Sequence, residues 1–465
     1  MTHDLIVIGS GPAGMSAAIT AAGLGLKTLL LDEQAHPGGQ IYRNVARMSE
    51  KMDAILGPDY AYGRQIVLAL EAASVDLRLS SMVWDITRDF YVRALQNGES
   101  LQFHAPQLIV ASGAIERPSP MPGWTLPGVL NAGAAQIAMK SGASIPRGQI
   151  VLVGGGPLLL LVACQLLDAG ANVAAIVETS PAANITQAVP YLPGAIRSPK
   201  ILAKGLAMTI RLKRAGIVWY KGAEGLRIEG HDNAEAVSFT AQGDRHRLEA
   251  DTVLLHHGVI PNTQISRLLR SDHDWNAAQL AWQPRLDAFR ETSLAGLRIA
   301  GDGGGIAGAR AAEASGRLAA IGAAHALRRL DDSERDRLSS PEHKKLAAQM
   351  RIRPFLDALY RPPKWLSVPE DETIICRCEE VTAADIRNSV ALGSRGPNQT
   401  KFYSRCGMGP CQGRICGSTV TQILADELSL SPAEVGAYQV RSPLKPITLQ
   451  QMASLREAPK EKETA

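Results

Sequence analysis

The stretch that decides the fold is Asp4-Leu-Ile-Val-Ile-Gly-Ser-Gly-Pro-Ala-Gly14, an apolar segment that runs directly into three spaced glycines. The apolar part predicts a strand, and the alanine-rich sequence Pro12–Leu24 predicts a helix that starts in the glycine turn. A second apolar strand is predicted over Lys27–Leu31. A glycine-rich turn between a strand and a helix is the context that a dinucleotide-binding site requires.

Each glycine of this turn has a separate role in such a site. Gly9 permits the tight turn, Gly11 lets the backbone approach a pyrophosphate, and Gly14 lets the helix pack closely on the strand. The free N–H groups at the helix N-terminus then face the phosphates. Asp32 and Glu33 end the second strand, where a carboxylate accepts hydrogen bonds from a ribose, and the strand length favours Asp32.

The strand–glycine–helix pattern returns twice, which predicts an α/β protein with parallel sheets. The further strands and helices are expected over Ile150–Val153, Leu158–Ala169 and Asn172–Val177, and again over Leu297–Ile299 and Ala309–Leu327, the last pair separated by the glycine-rich turn Gly301–Gly308. The expected fold is therefore two Rossmann-like dinucleotide-binding domains followed by a smaller C-terminal module.

The second glycine turn departs from the dinucleotide pattern. Gly154-Gly-Gly156-Pro157 is followed by Leu159 at the position where the pattern has Gly or Ala, and Glu178 ends the next strand. A leucine at that position is expected to hold the helix away from the strand. Two interpretations stay open: a site that binds NAD or an adenine nucleotide such as ATP, or a unit with a structural role only.

The cysteines are unevenly placed along the chain. Cys164 stands alone in an apolar helix and is most simply a core residue. The other five lie close together and predict a metal site: Cys376, Cys378, Cys406, Cys411 and Cys416. A [2Fe-2S] cluster needs four thiolates, and the alternative is a four-cysteine zinc site, although structural zinc more often uses CxxC pairs.

Composition excludes several classes of protein. The 465 residues carry a net charge of +4 and no basic stripe with interleaved aromatic residues, which argues against a nucleic-acid partner. The chain enters a strand within its first residues, which argues against a secretory signal, and it has no long uncharged apolar run that predicts a transmembrane segment. A cytoplasmic location is expected, with membrane association only through a complex.

Several motifs resemble the two-dinucleotide-binding flavoproteins, the superfamily of glutathione and thioredoxin reductases. They occur in the family's order over some 300 residues, and no CxxC pair lies near either nucleotide unit, so a disulfide reductase is not expected. The resemblance implies FAD and the following FAD-binding residues: Gly9, Gly11, Pro12, Ala13, Gly14, Asp32, Glu33, Gly39, Gln40, Arg43, Val83, Ala111, Gly113, Gly301, Asp302 and Ala307.

The cysteine segment resembles the [2Fe-2S] domain of the bacterioferritin-associated-ferredoxin type. Related domains keep Gly-Met-Gly-x-Cys-Gln-Gly-x-x-Cys and vary at the position of Cys406, which implies the ligands Cys376, Cys378, Cys411 and Cys416. The alternative is that Cys406 is a ligand and Cys416 packs in the following helix.

Pro37-Gly-Gly-Gln-Ile-Tyr-Arg43 and Pro122-Gly-Trp-Thr-Leu-Pro-Gly-Val129, together with the cysteine segment, resemble one group over nearly the whole chain. These are the α-type subunits of multisubunit amine and imino-acid dehydrogenases, the opine oxidase, hydrogen cyanide synthase and D-hydroxyproline or proline dehydrogenase group. The resemblance implies an electron carrier whose β-type FAD partner oxidises the C–N bond. Further possibilities are an FMN at an interface within the complex and a third, small ferredoxin-like subunit.

No catalytic residue is predicted in this chain. His36, His256 and His257 lie near motif edges, but loop histidines are more often solvated or satisfied in the core than catalytic. Two rival functions stay open: a self-contained NAD(P)H-dependent ferredoxin-type reductase, and a structural partner subunit that holds a nucleotide.

The expected domain boundaries follow from these motifs. Residues 1–114 and 290–328 form a discontinuous FAD-binding domain, and 115–289 form the second nucleotide-binding-like domain. A proline-punctuated helical linker is expected over 329–370, the [2Fe-2S] domain over 371–441 and a tail over 442–465, its charged last residues 457–465 frayed.

Overall fold

The computed structural model describes residues 3–457, and the first sheet forms around the N-terminal glycine turn. Its elements are β1 (Leu5–Ile8), α1 (Pro12–Gly23), β2 (Thr28–Leu31), α2 (Glu50–Leu56), α3 (Pro58–Ala61), α4 (Gly63–Glu71), β3 (Val75–Arg78), β4 (Ser81–Ile86), β5 (Tyr91–Gln96), β6 (Glu99–His104) and β7 (Gln107–Val110). Strands β1, β2 and β7 are buried along their whole length, as strands covered by helices on both faces are.

A second parallel sheet repeats this arrangement. Its region contains β8 (Ala114–Glu116), β9 (Val129–Asn131), α5 (Ala132–Gly142), β10 (Gln149–Gly154), α6 (Pro157–Asp168), β11 (Asn172–Glu178), α7 (Ala183–Ala188), α8 (Leu192–Ile196), α9 (Pro199–Arg214), β12 (Val218–Lys221), β13 (Glu224–Glu229), β14 (Ala236–Ala241), β15 (Asp244–Glu249), β16 (Thr252–His256), β17 (Val259–Pro261), α10 (Gln264–Leu268), β18 (His273–Asn276) and β19 (Ala281–Pro284). The sheet has the order β12-β11-β10-β16-β9.

The chain then returns to the first sheet through β20 (Leu297–Ile299) and α11 (Ala309–Ala326). Strand β20 completes the parallel order β20-β7-β1-β2-β3, and α11 packs on α1, where Gly316 faces the backbone of Ala13. A Cβ at Gly316 would overlap that backbone, so this glycine sets the close approach of the two helices. The expected α/β class is therefore confirmed.

Three helices connect this body to the cysteine module: α12 (Asp332–Met350), α13 (Arg353–Leu359) and α14 (Lys364–Ser367). The first starts with a capping box, in which the Asp331 side chain accepts from the Glu334 N–H. Helix α12 packs on α11, and α13 packs on α7. The linker predicted from the sequence is therefore helical and lies against both nucleotide units.

The cysteine module contains β21 (Ile374–Cys376), β22 (Val381–Thr382), α15 (Ala383–Ala391), α16 (Pro397–Ser404), α17 (Gly417–Leu428) and α18 (Pro432–Val435). It has its own apolar core, which includes Ile386, Val420 and Ile423. The described part of the predicted tail returns to the first body as α19 (Leu449–Ala453) and β23 (Arg456–Glu457), and β23 pairs with β6. The predicted frayed end lies outside the described residues except for Glu457.

Among the described residues, none of the helices combines the length and the apolar character that crossing a bilayer requires.

Candidate functional site

A cleft of about 560 Å³ opens at the carboxyl ends of the first sheet, the edge where open α/β sheets bind ligands. It gathers residues that the sequence assigned to FAD from positions 9 to 302. Those lining the cleft are Gly9, Gly11, Pro12, Ala13, Asp32, Glu33, Gly39, Gln40, Arg43, Val83, Ala111, Gly113, Gly301 and Asp302. Two predicted residues, Gly14 and Ala307, are not in its wall.

The glycine turn leaves room for a ligand at one position only. Gly9 has a φ of +100°, and a Cβ there would come within 2.6 Å of the Ala111 carbonyl oxygen. A Cβ at Gly14 would overlap the Gly9 carbonyl, because α1 lies directly on the turn. At Gly11 the nearest atom to such a Cβ is the Gly39 Cα at 3.9 Å, so Gly11 faces the open cleft. This arrangement fits a pyrophosphate beside Gly11.

The carboxylate of Asp32 is fixed at the end of β2. It accepts hydrogen bonds from the Ser10 N–H at 2.5 Å, the Ser10 Oγ at 2.7 Å and the Gln34 N–H at 2.7 Å. Glu33 is more exposed and forms an ion pair with Lys445. Since three hydrogen bonds hold Asp32 at the strand end, it fits the ribose-binding role better than Glu33, which pairs with Lys445.

Asp302 organises the third glycine turn, which follows β20. Its Oδ1 accepts from the N–H of Ala307 at 2.9 Å and of Gly308 at 3.0 Å. The Ala307 N–H thus serves the turn, and Gly308 and Ala309 line the cleft instead of the predicted Ala307.

Two later segments also reach the cleft, and sequence reasoning missed both. Arg414 and Ile415 extend into it from the cysteine module, while Leu444 and Lys445 close it near Glu33. The Leu444 N–H donates to the Trp84 carbonyl at 2.6 Å and so ties this segment to β4. No local motif signals either contact, because both depend on how the module packs on the first body.

The five clustered cysteines form two contacting groups. The Sγ atoms of Cys376, Cys406 and Cys416 lie within 4.8 Å of one another and are buried. Cys378 is exposed and contacts the less exposed Cys411. The structure therefore brings all four predicted ligands together in two pairs, and it adds Cys406 to the buried pair.

The pKa values of these cysteine thiols fit a site that binds a positively charged metal centre. Hydrogen bonds from Cys406 and Cys416 lower the pKa of Cys376 to about 2, whereas the contact with Cys376 raises the pKa of Cys406 to about 12. One thiolate at a time is favoured because neighbouring thiolates repel each other. A bound metal centre removes that repulsion and keeps several thiolates ionised.

Tyr438 holds the glycine-rich cysteine loop in place. Its hydroxyl donates to the Cys406 carbonyl at 3.0 Å, and its ring fills the space next to Gly407, Gly413 and Gly417. A Cβ at Gly407 would stand 2.7 Å from the ring, so these glycines let the loop wrap around the tyrosine.

The second glycine turn faces a smaller space than the first. Glu178 accepts a hydrogen bond from Trp219 Nε1 at 2.9 Å, and the Tyr360 ring stands over Gly155. The space left beside the turn is about 260 Å³ and is bounded by α13. Leu159, which occupies the third motif position, is buried in the core. These contacts leave little room for a dinucleotide.

The histidines have structural partners. His256 Nδ1 lies 2.5 Å from Glu116 Oε1, and His257 Nδ1 lies 2.7 Å from Ser119 Oγ. Burial lowers the pKa of His257 to about 3, so this ring is neutral at physiological pH. His36 is 2.6 Å from an Arg47 guanidinium nitrogen. None of the three lines the first cleft.

A buried lysine links the cleft to the second body. Lys140 Nζ donates to the Gln40 carbonyl at 3.1 Å and to Gln136 Oε1 at 2.8 Å. Gln136 donates in turn to Gln165 at 2.7 Å. Burial, reinforced by the nearby Arg43 charge, lowers the pKa of Lys140 to about 7. The network connects the loop around Gln40 to α5 and α6.

Two family models and one solved structure indicate the class of protein to which this chain belongs. Residues 3–316 match the family model described as pyridine nucleotide-disulphide oxidoreductase, and residues 370–456 match the one described as the sarcosine oxidase A3 domain. In overall fold the chain resembles a crystal structure of L-proline dehydrogenase from P. horikoshii, with a TM-score of 0.71 at 17% identity, over 97% of this chain and 79% of that one.

Curated relatives then narrow the class. The A subunit of opine oxidase from Agrobacterium tumefaciens (strain Ach5) is 42% identical over 97% of this chain and 92% of that protein. The HcnB subunit of hydrogen cyanide synthase from Pseudomonas protegens is 32% identical over 96% of this chain and 97% of that protein. The chain belongs to the pyridine nucleotide-disulphide oxidoreductase family and, within it, to the group that contains these two proteins. It is therefore a flavin-dependent oxidoreductase whose relatives are subunits of multisubunit enzymes.

Proposed function

We propose that this chain is the electron-transfer subunit of a multisubunit FAD-dependent dehydrogenase, in which a β-type partner oxidises the C–N bond of an amino acid, an imino acid or an opine. FAD and a [2Fe-2S] cluster would supply the electron-carrying chemistry. The relatives from opine oxidases support the substrate class, and the three histidines with structural partners support a substrate site outside this chain.

One observation carries the electron-transfer role. Arg414 and Ile415, which lie in sequence between Cys411 and Cys416, line the same cleft as Gly9, Gly11 and Asp302. The proposed cluster loop is thus part of the wall of the proposed flavin site. Two adjoining sites of this kind suit electron exchange within one chain.

Different residues of this chain would hold the different parts of FAD. The turn around Gly11 and the N-terminus of α1 would hold the pyrophosphate, since open space lies beside Gly11 and the first turn of a helix offers free N–H groups. Asp32 would accept from the ribose, and Asp302 would keep the third glycine turn in its shape. The loop from Gly39 to Arg43 would flank the ring system.

For the cluster, we assign Cys376, Cys378, Cys411 and Cys416 as ligands. The two contacting pairs, Cys376 with Cys416 and Cys378 with Cys411, suit a two-iron centre held by four thiolates. Cys406 would then be a neighbouring thiol beside Cys376, and it is the rival for the fourth place.

The second nucleotide unit is assigned a structural role in this proposal. The small space beside the turn and the Tyr360 ring next to Gly155 argue against NAD, and hence against a self-contained NAD(P)H-dependent reductase.

The proposal is tested on the purified chain by flavin and iron content and by EPR after anaerobic reduction. We expect one FAD, about two irons and a cluster signal per chain. Stoichiometric zinc in place of iron would make a structural role in the complex the better account.

A further inference from the structure

The helices between β11 and β12 lie in a segment with a strong excess of basic residues. From Thr179 to Ala223 there is no Asp or Glu, while the whole chain has 45 acidic residues. The same segment contains seven basic residues: Arg197, Lys200, Lys204, Arg211, Lys213, Arg214 and Lys221. Two of them pair with acids from elsewhere, Lys204 with Asp59 and Arg211 with Asp168, so a positive excess remains.

The same helices expose large aliphatic side chains. Ile185 on α7 is 63% exposed, Ile196 on α8 is 60% exposed, and Leu206 on α9 is 62% exposed. The remaining exposed apolar residues of this surface are Val189, Tyr191, Leu192, Ile201 and Ile210. A single exposed apolar side chain needs no explanation, but eight large exposed apolar side chains within about 26 residues mark an interaction surface.

On helix α9 the exposed apolar and basic residues are arranged as on a helix that lies at a membrane interface. Only Leu212 of its 16 residues is buried, and the helix packs on α6 along that side. Leu206 and Ile210, one turn apart, occupy an exposed face. The exposed Lys200, Lys213 and Arg214 lie beside that face at helical spacing. An apolar stripe flanked by lysine and arginine is the pattern of helices that lie in the headgroup region of a bilayer.

The composition favours lipid over a protein partner. Protein interfaces are enriched in aromatic residues and depleted in lysine, whereas this surface has one aromatic residue, Tyr191, and exposed Lys200 and Lys204. We propose that α7–α9 form a docking surface for an anionic membrane, with the aliphatic side chains in the interface and the basic ones at the lipid phosphates. This inference is independent of the electron-transfer role.

Sedimentation of the full-length chain with lipid vesicles tests the proposal. We expect binding to phosphatidylcholine vesicles with roughly one third phosphatidylglycerol, little binding to pure phosphatidylcholine, and release in high salt. The double variants Val189→Ser/Ile196→Ser and Arg197→Glu/Lys200→Glu should each lower the anionic binding about tenfold or more. Matched controls are Leu449→Ser, an exposed leucine on α19, and Arg88→Glu, an exposed arginine between β4 and β5.

Failure of the wild-type chain to bind anionic vesicles overturns the proposal. So does binding that survives both double variants. If the double variants instead dissociate a dimer of this chain, or release a co-expressed β-type partner, without any vesicle binding by the wild type, the surface is a protein interface. Flavin and iron contents unchanged in all variants show that the proposed electron-transfer sites are not what the substitutions altered.

Discussion

Gly11 has a hydrogen atom in place of a side chain, and the cleft beside it therefore stays open. Gly9 and Gly14 are required by the turn itself, whereas Gly11 meets no protein atom that would exclude a Cβ. The space beside Gly11 is therefore available to a ligand, and residues of this kind are where sequence and site agree most closely.

We expect Gly11→Val to abolish FAD binding, because a branched side chain would occupy the space that the phosphates need. The control is Gly23→Ala at the end of α1, where a Cβ meets nothing within 4 Å. Flavin absorbance of the purified, folded variants measures the outcome. If Gly11→Val still bound stoichiometric FAD, the assignment of this cleft as the FAD site would be wrong.

The ligand set of the cluster is decided by three serine variants. Cys376→Ser and Cys416→Ser should lose iron or change the EPR spectrum strongly, whereas Cys406→Ser should keep the signal with a small shift through its lost contact to Cys376. Iron content and low-temperature EPR of the reduced proteins give the result. Cluster loss in Cys406→Ser with a normal Cys416→Ser would reverse our assignment.

Some of the residues predicted for the FAD site carry local signals in the sequence. The first and third glycine turns and Asp32 are signalled by a few consecutive residues, and the structure brings them into one cleft. Arg414, Leu444 and Lys445 reach the cleft from more than a hundred residues beyond Asp302. Their position depends on the packing of whole segments, which no spacing rule encodes.

At the scale of elements, the long apolar strands and alanine-rich helices were predicted within one or two residues of their observed ends. The strands are buried on both faces and the helices start at glycine turns, so their signals are strong. Strand β23 has only two residues and pairs with β6 across the chain. It was missed because its formation depends on that tertiary contact.

Lys140 connects α5 to the loop at Gln40, and its burial predicts a pH dependence of stability. The folded-state pKa of about 7 lies below the ordinary 10.5, so the unfolded chain binds more protons between these values. The free energy of unfolding should therefore rise with pH in this window, by up to about 1.4 kcal/mol per pH unit. Denaturant unfolding of wild type and Lys140→Met at two pH values inside the window tests this. The same slope in both proteins would contradict it.

The linker helix α13 and the second glycine turn predict poor reaction with NADH. The Tyr360 ring lies next to Gly155 and the space beside the turn is only about 260 Å³, so a dinucleotide lacks room there. Anaerobic mixing with NADH should reduce the flavin slowly or not at all, whereas dithionite should reduce it completely. Rapid bleaching by NADH would favour the self-contained reductase.

At the scale of the whole molecule, two nucleotide-type bodies and a cysteine module meet at one cleft. The sequence predicts three parts in this order, since each part carries its own motif. It did not predict that the segment 442–457 returns to the first body and brings Lys445 to Glu33. That return ties residues 442–457 to β4 and β6 of the first body.

The central claim is that electrons taken from a substrate by a partner protein reach the cluster of this chain. Freeze-quench EPR of the complex assembled with its β-type partner, after addition of an opine or proline under anaerobic conditions, measures this directly. We predict a reduced-cluster signal within one turnover, absent in a Cys376→Ser complex whose partner flavin is still reduced by the substrate. Substrate oxidation by this chain alone, or turnover of the complete complex without reduction of the cluster, would contradict the account.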